Sequence, residues 1–266
     1  SEGGKGYSLP VRPTSSRVGR IPTWLSNWTW GDAFRRPGRP MRISSPRCHA
    51  PLPLGRSTLS IPLTGGVSGA GPTFFKPASV DELIDWFALF TKAAPELPFY
   101  FYDIPGMTGV SLNTADFLRR GRERLPSLVG VKFTNPDQDL LKECMQVDDG
   151  AFDILFGTDE KLLEGLEIGC RGAVGSSYSV AAPIYRQIIQ SFGEGDLATA
   201  KQHQEHSVKF IDILYKYGYL PATKALMEML GVPCGPARPP LGNLTETARA
   251  SLKKELAEIG FFDWIS

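Results

Sequence analysis

The arrangement of apolar positions changes at about residue 72, and from there two kinds of pattern alternate along the chain. Short β-branched and aromatic runs predict four strands, over residues 99–104, 128–133, 153–157 and 171–175. Stripes with helical spacing lie before the first strand and after each of the first three strands: Leu83, Ile84, Phe87 and Phe90; Phe117 and Leu118; Leu140, Leu141 and Met145; Leu162, Leu163 and Leu166. This alternation is typical of βαβ units, so we expect an α/β fold with a parallel sheet.

Capping residues mark the start of two of these helices. Ser79 and Glu82 have the spacing of a capping box ahead of the first stripe. Asn113 or Thr114 can cap the second helix, because both side chains can accept a hydrogen bond from the first turn.

Beyond residue 180 the spacing is helical only. Pro183 suits a helix start, and further helices are predicted over about 197–217, 222–230 and 245–259. Four β/α units followed by helices predict the C-terminal half of a (β/α)₈ TIM barrel over residues 71–180 and a helical region over 181–266.

The first seventy residues lack both patterns and differ in charge. Ten Lys and Arg against two acidic residues give +8 over 1–70, whereas 19 basic and 26 acidic residues give −7 over 71–266. Nine prolines interrupt any regular element in the first segment. We therefore expect an irregular segment over 1–70, and we read the Gly-rich run 65–71 as a linker because it lacks the Lys of a phosphate-binding loop.

Three interpretations of this basic segment remain open. It has the Arg and Ser content of an organelle transit peptide, although no amphipathic helix emerges. It could be a basic arm for nucleic acid or membrane, which its prolines argue against. The interpretation that we favour is a misassigned or frame-shifted stretch joined to a genuine domain, because the composition changes so sharply.

Composition limits the remaining function classes. No run of about 18 apolar residues occurs, so we expect no membrane span. Four scattered cysteines without a Cys-x-x-Cys pair fit reduced thiols in a cytoplasmic protein better than disulfides or a zinc site. His203 and His206, three residues apart, are best read as a solvated helix face, since further metal ligands are lacking nearby in the sequence.

The candidate chemistry centres on a lysine within the predicted strand 128–133. Lys132 interrupts an apolar, β-branched run, where desolvation disfavours the charged form of an amine. Free amine is the form that attacks a carbonyl, so Lys132 is a candidate Schiff-base nucleophile. Tyr102, near the end of the preceding strand, is a candidate for moving protons.

Strand alternation predicts where these side chains point. Lys132 and Thr134 share one face, while Val131 and Phe133 take the other and should pack onto helices. The strands before Gly157 and Gly175 also end in polar residues, and in a barrel all these ends lie at the rim where active sites are built.

Each of these residues also has a structural interpretation. Lys132 would snorkel to water if its strand lay at a sheet edge. Thr158 or Asp159 can cap the next helix, and the Gly175-Ser176-Ser177 run can be a turn.

Four motifs in order resemble the class I aldolase family that includes N-acetylneuraminate lyase and dihydrodipicolinate synthase, over residues 71 to the C-terminus. They are Tyr102-Asp103-Ile104-Pro105-Gly106-Met107-Thr108-Gly109, Gly130-Val131-Lys132-Phe133-Thr134, Gly157-Thr158-Asp159-Glu160 and Gly172-Ala173-Val174-Gly175-Ser176-Ser177-Tyr178. The lyase is favoured within the family. The synthase typically has an Arg shortly after Tyr-x-x-Pro and a Glu after the lysine, where this chain has Gly106-Met107 and Phe133.

The resemblance implies cleavage of N-acetylneuraminate, a sialic acid, to N-acetylmannosamine and pyruvate. Lys132 would form the Schiff base and Tyr102 would relay the proton. The implied ligands of the sugar hydroxyls are Thr134, Gly157, Asp159, Glu160 and Ser176. The resemblance implies no metal or organic cofactor, no nucleic-acid or membrane partner, and a homotetramer.

One expected motif is missing. The family's Gly-Ser/Thr-Thr-Gly-Glu sequence, which holds the pyruvate carboxylate, does not occur in residues 1–70. Two alternatives therefore stay open beside the lyase: another pyruvate-dependent aldolase of the family, and a truncated, non-catalytic isoform.

Overall fold

The computed structural model describes residues 42–44, 59–60 and 66–266, with only the backbone described for the first two ranges. The strands are β1 Arg42–Ser44, β2 Leu59–Ser60, β3 Val67–Ala70, β4 Phe99–Asp103, β5 Leu128–Phe133, β6 Asp153–Phe156 and β7 Gly172–Val174. Within these ranges they form one seven-stranded sheet in the order β1-β7-β6-β5-β4-β3-β2. Neighbours pair in parallel except β2 and β3, so the predicted parallel α/β sheet is confirmed.

Helices connect these strands and then continue alone to the C-terminus. They are α1 Val80–Thr91, α2 Pro105–Thr108, α3 Thr114–Arg124, α4 Gln138–Gln146, α5 Leu162–Ile168, α6 Tyr178–Gly193, α7 Leu197–Lys216, α8 Tyr219–Met229, α9 Glu246–Glu258 and α10 Phe261–Trp264. Short 3₁₀ turns cover Val147–Gly150 and Asp159–Lys161. The predicted helices are thus confirmed within a few residues at each end.

The predicted caps hold with one shift of register. Ser79 Oγ accepts a hydrogen bond from the Glu82 amide at 3.2 Å, but the Glu82 carboxylate accepts from the Ala78 amide at 2.8 Å rather than from Ser79. Asn113 caps α3 by accepting from the Asp116 amide at 2.7 Å. These side chains satisfy amide groups that have no partner inside the helix.

Pro183 lies inside α6 rather than at its start. The helix is kinked at Ala181, whose φ of −141° and ψ of 31° are not helical. Proline has no amide hydrogen to donate to the carbonyl of Ser179, and its ring crowds the preceding turn. The predicted helix start is therefore correct only for the part of α6 that follows the kink.

Helices α1 and α3 cover one face of the sheet through aromatic packing. The Phe87 ring lies 5.0, 5.5 and 5.9 Å from the rings of Phe99, Phe101 and Phe117. All four side chains are buried. Because side chains alternate along a strand, this packing directs the residues between them to the opposite face of the sheet.

The linker predicted over 65–71 is wrong for Val67–Ala70, which forms β3 beside β4. A Cβ at Gly69 would lie 2.9 Å from Phe87 Cε1, so the glycine serves close packing of α1 on the sheet. Apart from β1, β2 and residues 66–70, the three interpretations of the basic segment concern residues outside the described ranges. None of the described helices is both long and apolar enough to cross a membrane.

Candidate active site

The carboxyl ends of β4, β5, β6 and β7 lie at one edge of the sheet, because these strands are parallel and adjacent. This edge carries all seven residues that the sequence predicted for the site: Tyr102, Lys132, Thr134, Gly157, Asp159, Glu160 and Ser176. Ligand sites in parallel α/β folds are built at this end of the strands.

Lys132 and Tyr102 are partners in register on adjacent strands. The Nζ of Lys132 lies 3.8 Å from the centroid of the Tyr102 ring, over its face. Val131 and Phe133 are buried on the opposite face, as predicted. β5 lies between β4 and β6, so the interpretation of Lys132 as a lysine on an edge strand is wrong.

Thr134 and Gly157 continue the chain beyond β5 and β6 and lie side by side. The Thr134 amide donates to the Asp103 carbonyl at 2.8 Å, and the Gly157 amide donates to the Phe133 carbonyl at 2.8 Å. A Cβ at Gly157 would lie 2.0 Å from Thr134 Oγ1. This hydroxyl is buried and has no hydrogen-bond partner within the described ranges, so it is a group that a polar ligand could satisfy.

Asp159 is buried, with 5% of its surface exposed. Its Oδ2 accepts hydrogen bonds from the Ser177 amide at 3.0 Å and from Ser177 Oγ. The oxygen of Ser177 also lies 2.6 Å from the Tyr185 hydroxyl, which completes a buried chain of three polar side chains. Since this carboxylate binds Ser177, and Thr158 makes no capping bond, the interpretation of either residue as a helix cap is wrong.

Burial sets the electrostatics of Asp159. Desolvation raises the pKa of its carboxyl from 3.8 to about 6, against the opposing effect of the Ser177 hydrogen bonds. The other oxygen, Oδ1, is buried without a hydrogen-bond partner among the described residues. A Cβ at Gly175 would lie 1.6 Å from Oδ1, so only glycine fits there. Asp159 thus has one oxygen that could accept a hydrogen bond from a ligand hydroxyl.

Ser176 reaches a residue that the sequence analysis missed. Its Oγ lies 2.8 Å from the hydroxyl of Tyr219, at the start of α8. Burial raises the pKa of Tyr219, and the negative charges of Asp159 and Glu160 raise it further. Tyr219 therefore lies near both carboxylates. Its position 43 residues further along the chain gave no sequence signal for this proximity.

Asp103 is a second residue that sequence reasoning passed over. It is buried, and its Oδ2 accepts from Thr114 Oγ1 at 2.7 Å and from Asn135 Nδ2 at 3.0 Å. Desolvation raises its pKa, while both hydrogen bonds oppose that rise. The carboxylate ties the end of β4 to α3 and to the residues after β5, so it holds Tyr102 and Thr134 in place. Its position directly after Tyr102 in the sequence was the signal that could have identified it as a site residue.

Both histidines of α7 are half-buried, so the predicted solvated face is confirmed only in part. The ring of His206 stacks on Trp264, with centroids 3.9 Å apart and planes 5° apart. Burial lowers the pKa of both His203 and His206. In the part of the chain that the structure describes, no group of three or more His, Cys, Asp or Glu side chains could hold a metal ion.

Residues 66–259 match the model of the dihydrodipicolinate synthetase family. The chain belongs to the dihydrodipicolinate synthetase family. This family domain begins five residues before the boundary at 71 that the sequence predicted.

Relatives of this family that are similar to the chain include N-acetylneuraminate lyases. The protein from Gallus gallus is 38% identical over 197 residues, which are 73% of this chain and 64% of that protein. The protein from Rattus norvegicus is 36% identical over 202 residues, which are 75% of this chain and 63% of that protein. The chain thus spans less than two thirds of the length of these relatives.

Solved structures in the family have the same fold. The N-acetylneuraminate lyase of Proteus mirabilis superposes with a TM-score of 0.70 at 36% identity and covers 73% of this chain and 65% of its own. The dihydrodipicolinate synthase of Cyanidioschyzon merolae gives a TM-score of 0.65 at 25% identity, covering 74% of this chain and 65% of its own. These neighbours confirm the expected TIM-barrel type of fold.

Proposed function

We propose that this chain is a class I aldolase that cleaves N-acetylneuraminate to N-acetylmannosamine and pyruvate. The observation that carries the proposal is the Nζ of Lys132, 3.8 Å over the Tyr102 ring at the carboxyl edge of the sheet. Relatives named N-acetylneuraminate lyase, at 36–38% identity, support the choice of substrate.

In the proposed reaction Lys132 supplies the electrophile. Its free amine attacks the C2 ketone of the open-chain substrate, and loss of water leaves an iminium ion. The Tyr102 oxygen then takes the proton of the C4 hydroxyl while the Tyr102 hydroxyl gives its own proton to the substrate carboxylate. The C3–C4 bond breaks, its electron pair neutralises the iminium as an enamine, and N-acetylmannosamine leaves as the aldehyde. Protonation of C3 and hydrolysis release pyruvate, without a metal or organic cofactor.

The polyhydroxylated tail of the substrate is assigned to the other polar groups of this edge. Thr134 Oγ1 and Asp159 Oδ1 are buried atoms without partners in the described ranges, so each gains a hydrogen bond when a substrate hydroxyl arrives. Glu160, Ser176 and the backbone of Gly157 complete the proposed tail site. A site of this kind discriminates against analogues that lack hydroxyls, because its polar groups would then stay unpaired.

Trapping of the Schiff base tests the proposal directly. The chain is incubated with pyruvate and sodium borohydride and then digested, and the peptide masses are measured by mass spectrometry. We expect the mass of reduced pyruvate on Lys132. The Lys161→Arg variant, which changes an exposed lysine near the site, should form the same adduct. An unmodified Lys132 in folded protein contradicts the proposal. Release of pyruvate from a panel of 2-keto-acid aldols then separates N-acetylneuraminate from other acceptors.

A non-catalytic isoform is the second candidate. The observation that favours it is a motif: residues 1–70 do not contain the family's carboxylate-binding Gly-Ser/Thr-Thr-Gly-Glu sequence. This candidate predicts co-purification with a full-length lyase and no turnover by the chain alone.

Assembly and location follow the same resemblance. We propose a homotetramer in the cytoplasm. Light scattering during size-exclusion chromatography measures the oligomeric state, and microscopy of the tagged chain measures its location in the cell.

A further inference from the structure

A glutamine in the helical region binds the turn that carries Asp159 and Glu160. Gln204 of α7 is half-buried, and its Oε1 accepts a hydrogen bond from the Leu163 amide at 2.8 Å. Its Nε2 donates to the Asp159 carbonyl at 3.2 Å. One amide group thus bridges both ends of this turn, from 41 and 45 residues further along the chain.

The orientation of this amide is itself fixed. Gln204 Nε2 donates to Ser207 Oγ at 2.6 Å, and the same hydroxyl donates to the Gln204 carbonyl at 2.8 Å. Ser207 is fully buried, so the serine holds the glutamine side chain in one direction. The side chain is therefore pre-organised to bind the turn.

The turn lacks capping side chains of its own. The 3₁₀ turn begins after Thr158 and α5 begins after Lys161, and neither of these residues makes a side-chain capping bond. Amide groups at the start of a helix have no acceptor within the helix and need one from elsewhere. Gln204 supplies that acceptor to Leu163, so a different part of the chain does the work of a cap.

Two separate sets of bonds then hold Asp159. Ser177, backed by Tyr185, fixes its carboxylate, and Gln204 fixes its backbone carbonyl. We propose that Gln204 is a positioning residue that sets the affinity of the site for the hydroxylated tail of the substrate. This inference rests on the proposed function, because the proposed function places the tail of the substrate at Asp159 and Glu160.

The expected effect of removing this amide is selective. The side-chain hydrogen bonds of Gln204 go to the 159–163 turn and to Ser207, whereas Lys132 and Tyr102 stand on β5 and β4. Loss of the bonds should weaken binding of N-acetylneuraminate about tenfold, the equivalent of one or two hydrogen bonds. Formation of the pyruvate adduct on Lys132 should not change, because pyruvate has no tail.

Two measurements on the full chain test this. Calorimetry measures the Kd of N-acetylneuraminate on a Lys132→Ala background, which cannot turn the substrate over. Borohydride trapping measures the rate of the pyruvate adduct with Lys132 intact. Gln204→Met keeps the length of the side chain and removes both of its hydrogen bonds to the 159–163 turn. Gln202→Met, at an exposed glutamine on the same helix, is the matched control and should leave both values unchanged.

A second variant covers failure of the first to fold. Gln204→Glu keeps an acceptor for the Leu163 amide and removes the donor to the Asp159 carbonyl. It should also weaken binding of N-acetylneuraminate and spare the pyruvate adduct. Circular dichroism and the thermal midpoint show which variants have the wild-type fold.

The outcomes separate this inference from the function on which it rests. An unchanged Kd in folded Gln204 variants overturns the inference alone, as does an equal loss of N-acetylneuraminate binding and pyruvate trapping. Trapping without any binding of N-acetylneuraminate also overturns it, because no sugar tail is then positioned. Absence of the pyruvate adduct in the wild-type chain overturns the proposed function itself.

Discussion

Two ends of the candidate site are built in different ways. The reacting end, Lys132 and Tyr102, stands on two adjacent strands whose residues are partners in register. The tail end, centred on Asp159, depends on Ser177, Tyr185 and Gln204, which come from the start of α6, its interior and α7. The difference teaches that the sheet places the proposed reactive groups, whereas the helices position the side chains of the proposed tail site. Substitutions at the reacting end should therefore change adduct formation and kcat, and substitutions at the tail end should change stability and KM.

The largest effect is expected at the reacting end, from Lys132→Arg. Arginine stays protonated, so it cannot act as a nucleophile. We expect turnover to fall to background and the borohydride adduct to vanish. Calorimetry should still detect binding of added N-acetylmannosamine, the sugar product. An adduct on this variant would show that another amine carries the chemistry.

Tyr102→Phe should be the next largest. The phenyl ring that lies under Lys132 remains, so the amine should still form the pyruvate adduct. Loss of the hydroxyl removes the proposed proton relay, which predicts a fall in kcat of about 10²–10⁴-fold. Steady-state kinetics beside trapping measure both. Equal loss of adduct and turnover would mean that Tyr102 only supports the lysine.

At the tail end, Asp159→Asn should change the pH dependence of stability. Burial raises the pKa of this carboxyl from 3.8 to about 6, so the folded chain holds the proton more tightly than the unfolded chain. The stabilisation that protonation provides is complete below about pH 4 and is lost as pH rises through about 6. Asparagine does not titrate and keeps an acceptor for Ser177.

Urea unfolding of both proteins at several pH values measures this effect. The stability of Asp159→Asn relative to wild type should rise by about 2 kcal/mol between about pH 4 and pH 7, out of about 3 kcal/mol for the whole shift at about 1.36 kcal/mol per pKa unit. Asp103 titrates in both proteins, so its contribution cancels in the difference. A constant difference across this range would contradict the burial argument.

Tyr185→Phe should have the smallest effect. It removes the hydroxyl that contacts Ser177 Oγ and leaves the buried ring in place. We expect a loss of about 1 kcal/mol of stability and a KM for N-acetylneuraminate raised a few-fold, with kcat unchanged. A fall in kcat at constant KM would mean that the two ends of the site are coupled.

Much of the reacting end could be predicted because strand alternation is a local property. Two residues of spacing put Lys132 and Thr134 on one face, and the buried Val131 and Phe133 confirm it. The helix caps at Ser79 and Asn113 were also predictable, since capping depends on residues three apart.

The tail end could be predicted only in its first layer. The position of Asp159 after a strand was predicted, but its partners depend on how helices far along the chain pack against it. Gly69 shows the same limit: a Gly-rich run favours a linker locally, and only the approach of Phe87 explains why it is a strand. Long-range packing overrides local preference at both places.

The glycine at position 175 has a consequence for how this site tolerates change. Oδ1 of Asp159 occupies the space into which any side chain at this position would extend. Even an alanine at this position would displace the carboxylate, so a single added methyl group would disturb the proposed tail site without altering Lys132 or Tyr102. Mutational screens should therefore score this residue as intolerant although it brings no functional group of its own.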